Sequence, residues 1–308
     1  RFSVPMHRPA VFSGRVESVD AGSDQISVVG SPNWDLDEFV RQSNTNPSPN
    51  DSYRAIVTSG SQNGAIFPVV SNTANTLVVE AGLNDLNSIG TDSGSGAGNG
   101  DTLIIVPSWS LGVLFQGVDV PDQTKIFVYP ESSGINKSPS VIFTYFASVD
   151  GWGDGESPVA VDFSASLELG DGYVVRIPDG GEDLLINVHG EVAMFADRKV
   201  VTTWVPNEPS DYAFAITAPV PVAIGDTNLN VEDQTKIFVY NNDDVGFNKS
   251  PTTILTYFAS VDGWGDGKSA GPVDDSFMLE PGTSYVIRKP GAVGSEVVET
   301  SFNPPYTN

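Results

Sequence analysis

The residues best placed to do chemistry stand in one short phrase, VDGWGDG, spelled at residues 149–155 and again at 261–267. Each copy sets two carboxylates four positions apart, Asp150 with Asp154 and Asp262 with Asp266, among glycines that let a backbone wrap an ion. Calcium takes about six to eight oxygens and accepts carboxylates and carbonyls together, so these four acids are the candidate cation ligands. The phrase lacks the dense D-x-D-x-D-G spacing and the distal glutamate of a dedicated calcium loop. Two other readings stay open. In one, the acidic turn anchors a buried tryptophan, Trp152 or Trp264, and binds nothing. In the other, the indole is exposed beside the acids, which is how sugars are often held.

Other catalytic sets are thin. The chain has no cysteine, which excludes thiolate catalysis, disulfides and cysteine-ligated metals. Its only histidines, His7 and His189, form no H-x-x-x-H spacing and have no G-x-S-x-G partner, so neither zinc nor a serine triad is indicated. A glycosidase needs two carboxylates about 5 to 10 Å apart across a cleft, and no such pair can be picked from 39 acids by spacing. The glycine-rich run at 88–100 has the composition of a mobile loop, but no lysine follows it, so it does not read as a phosphate loop. Asn50, Asn136 and Asn248 match the N-x-S acceptor pattern and are expected to be unmodified, the last two triplets being followed by proline. The chain reads as a non-enzyme.

The turns are positioned by a duplication. TYFASVDGWGDG occupies 144–155 and recurs letter for letter at 256–267, and DQTKIFVY at 122–129 recurs at 233–240. Leu167-Glu168 and Tyr173 to Arg176 likewise match Leu279-Glu280 and Tyr285 to Arg288. The offset is 111 (233 − 122) in the first segment and 112 (256 − 144) afterwards. A period of that length lies far beyond solenoid units, so each copy should fold around its own core.

The hydrophobic patterning is that of strands. The unbroken KIFVY runs predict strands covered on both faces, and the segments after them alternate at period two. Gly170 and Gly282 stand at equivalent turns expected to need a positive φ. The chain is therefore expected to be all-β. The divisions are an extended N-terminal arm at 1–10, a small β-barrel or sandwich at 11–107, a first β-sandwich-like repeat at 108–205, a proline-rich linker at 206–221 and a second repeat at 222–308. Within the barrel, residues 34–40 are the one stretch with a short-helix reading. The arm alternates apolar Phe2, Val4 and Met6, and is expected either to lie against its own domain or to complete a neighbour's sheet.

Thirty-nine acids against 15 bases give a net charge of −24, which repels phosphate backbones and anionic lipid, so neither nucleic acid nor membrane insertion is expected. Acidity, few lysines, abundant Gly, Pro, Ser, Thr and Asn, and a first residue that is not methionine point to an extracellular or cell-surface location.

Val4-Pro5 with Arg8-Pro9 and Phe12, Thr58-Ser59-Gly60, Asn72 to Leu77, Gly100-Asp101-Thr102 with Trp109, and the Tyr145/Gly151-Trp152 and Tyr257/Gly263-Trp264 pairs carry a resemblance. With these the chain resembles an uncharacterised family of secreted, tandem-repeat β-rich proteins of environmental bacteria. The resemblance implies a small N-terminal barrel before two related β-domains, and it brings no established activity. Where that family follows Gly-Trp with a basic residue, this chain has Gly153-Asp154 and Gly265-Asp266.

Tandem homologous domains also offer a route to polymers. If the copies pack head to tail, the free face of one resembles the face already used by the other, and a filament can propagate. The expectation is an extracellular structural protein that partners itself in a filament or surface layer, with the arm as clasp and no cofactor beyond the calcium candidate. The alternative is a secreted carbohydrate-binding module that contacts glycans through Trp152 and Trp264.

Overall fold

The computed structural model describes residues 1–40, 52–82, 84–95, 98–130, 135, 137–154, 166–167, 169–181, 184–195, 197–201, 208–227, 229, 231–243, 249–267, 274–291 and 298–302. Asn50, Asn136, Asn248 and Gly155 lie outside them. The fold is all-β, and no helix among the described residues is long and apolar enough to cross a membrane.

Six strands close into a barrel in the order Phe12–Asp20, Gln25–Val28, Thr76–Val79, Ile66–Asn72, Tyr53–Val57 and Thr102–Pro107. Closure leaves no free edge. Period-two alternation aims Ile26, Val28, Phe67, Leu77 and Leu103 into one core. Phe12, Trp34, Phe39 and Tyr53 extend it in a chain of edge-on rings, with centroids 4.8, 5.1 and 5.4 Å apart. Residues 34–40 turn rather than form a helix. Their backbone groups are taken by the buried Asn72, whose Oδ1 accepts from Phe39 N at 2.8 Å while its Nδ2 donates to Asp35 O at 2.8 Å. The glycine-rich run is pinned by carboxylates. Asp101 accepts from Gly90 N and Asp92 from Gly100 N, each at 2.6 Å, so these amides serve acids of their own chain.

Each repeat builds a five-stranded sheet facing a two-stranded ladder. In the first, the sheet order is Phe2–Ser3, Gly172–Arg176, Lys125–Val128, Val141–Phe146 and Gly151–Gly153. In the second it is Ser210–Phe214, Tyr285–Lys289, Lys236–Val239, Thr253–Phe258 and Gly263–Gly265. The ladders pair Trp109–Ser110 with Ser166–Leu167, and Val222–Ala223 with Met278–Leu279. Ile126 and Ile237 are fully buried between the layers, but the KIFV strands are covered well on one face only. Phe127 and Phe238 on the other face are half-buried, and Phe238 is capped by the Arg288 guanidinium 4.7 Å from its ring centre. The covering of both faces that the apolar runs predict is thus partial among the described residues.

The strand orders place the arm. Phe2 stands opposite Tyr173 in one sheet, and Phe214 opposite Tyr285, the matching residue, in the other. Val4 and Ile216, two residues further on, are both fully buried. The arm is therefore the first strand of repeat 1, and the barrel occupies the connection that repeat 2 makes with residues 215–221. The 206–221 stretch read from its prolines as a linker contains, at 210–214, the first strand of repeat 2.

The repeats meet along the edges formed by their first strands, about an approximate two-fold axis. Ser3 N donates to Gly282 O at 2.9 Å, and Ala215 N donates to Gly170 O at 3.1 Å. Ser3 corresponds to Ala215 and Gly170 to Gly282, so the two bonds are one bond made reciprocally. A third ladder, Asp197–Val201 with Val298–Phe302, runs antiparallel with Val201 opposite Val298. The head-to-tail packing that a filament of repeats requires is not the arrangement these contacts make.

Candidate functional site

The arm is tied to all three folded units. The Arg1 guanidinium lies 3.9 Å over the Tyr240 ring of repeat 2, and Asn242 Nδ2 donates to Arg1 O at 3.0 Å. Burial lowers the Arg1 guanidinium from its ordinary value. Phe2 packs on Tyr173 and Phe115 of repeat 1, with centroids 5.4 and 6.3 Å away, and Val4 enters the same core. Met6 is half-buried, and its carbonyl accepts from Trp109 Nε1 at 2.7 Å. His7 exchanges two backbone bonds with Glu191, of 3.2 and 2.7 Å, and its ring stacks on Phe195 at 5.6 Å. Val11 N then donates to Ile105 O at 2.8 Å and begins the barrel. An apolar patch of Ile56 and Val106 on the barrel with Ala193 and Phe195 joins barrel to repeat beneath this junction.

Of the three residues predicted to give the arm its apolar side, Phe2 and Val4 are brought into the repeat-1 core. Of the two fates expected for the arm, the structure shows the first: it lies against its own chain, as a strand of the repeat-1 sheet. His189, by contrast, is exposed and lies outside any strand.

The Gly-Trp turns are packed, not presented. Trp152 is 2% exposed and Trp264 4%. Trp152 sits against Phe115 and Tyr145 with centroids 4.9 and 5.5 Å away, and Trp264 against Tyr257 at 5.5 Å. An indole buried to this degree offers no face to a sugar ring, which corrects the ligand-contact reading of both tryptophans. The glycines on either side let the strands Gly151–Gly153 and Gly263–Gly265 lie close to the preceding strand, with each tryptophan opposite Tyr145 or Tyr257.

The carboxylates of the same turns are used locally. Tyr145 Oη donates to Asp150 Oδ1 and Tyr257 Oη to Asp262 Oδ1, both at 2.6 Å. Asp150 and Asp262 adopt φ of 48° and 49°, a left-handed turn that aspartate tolerates better than most residues. Asp122 and Asp233 each accept from the next turn's amide, Ala147 N or Ala259 N, at 2.9 Å. Among the described residues no three His, Asp or Glu side chains gather as a metal group. Asp150 and Asp262 each give one carboxylate oxygen, Oδ1, to a phenol, and both are exposed, as are Asp154 and Asp266.

No family model matches the chain, and no curated protein and no solved structure is similar to it. Sequence reasoning missed the residues at the contact between repeats, above all Gly172 and Ser284. The duplication itself, followed residue by residue, was the signal that could have paired them.

Proposed function

We propose that this chain is an extracellular structural subunit that assembles with copies of itself into a filament or surface layer, each chain passing its arm to the next. The observation that carries the reading is the origin of the Phe2–Ser3 strand. It completes the repeat-1 sheet, yet residues 11–107 separate it from the rest of that sheet. A strand held from so far along the chain can enter a neighbour's sheet and make there the same contacts it makes at home, so exchange needs no new surface. Passed in one direction, such a contact is heterologous and yields a ring or an open helical filament. The repeat faces do not supply the joint, since each is engaged reciprocally by the other. A charge of −24 holds filaments apart laterally and disfavours nucleic acid and anionic membrane. The extracellular location rests on the acidic, lysine-poor composition, and the reading assigns the chain no catalysis, ion or glycan.

The test uses His7→Cys with Glu191→Cys in a chain that otherwise has no cysteine. Residues paired by two reciprocal backbone bonds have Cα atoms about 5.5 Å apart, within disulfide range. Filaments in negative stain together with a ladder of covalent multimers on a non-reducing gel are expected. Filaments with only a monomer band would overturn arm exchange, and single compact particles at every concentration would overturn the assembly.

A further inference from the structure

On a two-fold axis a position meets its own counterpart, and here the counterparts are Gly172 of repeat 1 and Ser284 of repeat 2 (172 + 112 = 284). A Cβ built on Gly172 would overlap Ser284 Oγ and lie 2.9 Å from Ser284 Cβ and 3.1 Å from Ala213 Cβ. Real Cβ contacts avoid such distances, because repulsion rises steeply inside van der Waals contact. Gly172 lies within the strand Gly172–Arg176 and is not among the glycines of positive φ, so its backbone does not demand glycine. Space alone does. Ser284 is 2% exposed, and its Oγ has no hydrogen-bond partner among the described residues, so the hydroxyl gains nothing there that would explain it as a polar contact.

We infer that Gly172 and Ser284 are a specificity pair: the face of repeat 1 accepts a homologous repeat bearing serine at the axis, and two serine-bearing repeats cannot pair. Apart from these two positions, the reciprocal bonds of Ser3 with Gly282 and Ala215 with Gly170 are indifferent to which copy stands on which side. They are made from backbone atoms and would serve a like-with-like pair as well. The steric mismatch at the axis breaks that degeneracy. A repeat of the second kind cannot bind its own image, and its partner must carry glycine. The device is the close-contact equivalent of coding partner choice by a clash against the wrong one. It holds whether or not the chain polymerises, since it concerns the contact within one molecule.

The experiment is a cycle in the full chain. Gly172→Ser makes the pair serine on serine and should lower the melting midpoint by several °C, with increased cleavage between the repeats in limited proteolysis. Ser284→Gly alone should lower it less. In Gly172→Ser with Ser284→Gly the serine clash at the axis is gone and only the 3.1 Å approach to Ala213 Cβ remains, so midpoint and cleavage should return most of the way to those of the parent. If the double variant loses as much as the two single variants together, or if Gly172→Ser melts early with no added cleavage between the repeats, the inference is overturned. Gly172→Ala, alone and with Ser284→Gly, runs the same cycle with a smaller side chain should Gly172→Ser fail to accumulate.

Discussion

The two repeats share a sheet order, a ladder, a Gly-Trp turn and a pattern of strained turn residues, but they acquire their first strand differently. Repeat 2 takes Ser210–Phe214 from the chain immediately before its ladder. Repeat 1 takes Phe2–Ser3 from beyond a whole barrel. The comparison teaches that a loop in this fold can hold a closed domain without disturbing the sheet around it. That is possible because the barrel has its own core and touches repeat 1 through the small patch around Phe195. It also separates what the two copies have in common, the core of the sheet and its ladder, from what differs, the route by which the first strand reaches its sheet.

The largest expected effect tests the common part. Trp152→Ala and Trp264→Ala each remove a core indole and should cost about 3–5 kcal/mol apiece, read as loss of unfolding free energy in denaturant titration. Similar costs would show that the turns are the same structural device in both repeats. A cost near zero for either would return that tryptophan to the surface and reopen the sugar-binding reading.

How much of this was legible follows from where the letters repeat. The strands around KIFV, the TYF segment and the Tyr173 and Tyr285 strands were written twice, and the positive φ of Gly170 (75°) and Gly282 (72°) followed from their place at matching turns. The arm's kinship with 210–214 was not legible. Few positions, such as Phe2 with Phe214 and Val4 with Ile216, are alike, and pairing register rather than sequence aligns them. The burial of the tryptophans was one of the readings the turn offered, an acidic turn anchoring a buried indole, and Trp152 and Trp264 follow it. The two-fold contact was hidden most completely, since its axial residues, Gly172 and Ser284, differ in type and no local pattern encodes how two domains face one another.

A smaller effect tests the difference. Ile216→Ala should cost about 2–4 kcal/mol and Val4→Ala about 1–3 kcal/mol, the smaller residue losing less buried surface. The comparison is sharpened by where the chain opens. On the proposed exchange, Val4→Ala should expose residues 1–10 to protease while both sheets stay folded. Ile216→Ala should give no such early cut, its strand being continuous with the ladder of the same repeat. Equal protection of the arm in both variants would mean that the Phe2–Ser3 strand is as firmly integrated as its counterpart, and exchange between chains would lose its physical basis.

The smallest effect is a titration that both repeats should share. Tyr145 is pushed up to about 12, first by donating to the Asp150 carboxylate and then by partial burial, and Tyr257 is raised by the same causes at Asp262. An unfolded tyrosine releases its proton near 10, in round terms. Between about 10 and 12 the folded chain therefore holds a proton that the unfolded chain has lost. The contribution of the Tyr145 bond to stability is complete below about 10 and disappears as pH rises through about 12. Asp150→Asn keeps a residue that tolerates the left-handed turn but removes the charge. In an ultraviolet titration of the nine tyrosines this substitution should move one late phenol back toward 10, and Asp262→Asn should move a second. Were only one of the two to move, the turns would be alike in backbone but not in the bond that closes them, and the repeats would differ in a second respect besides the source of their first strand.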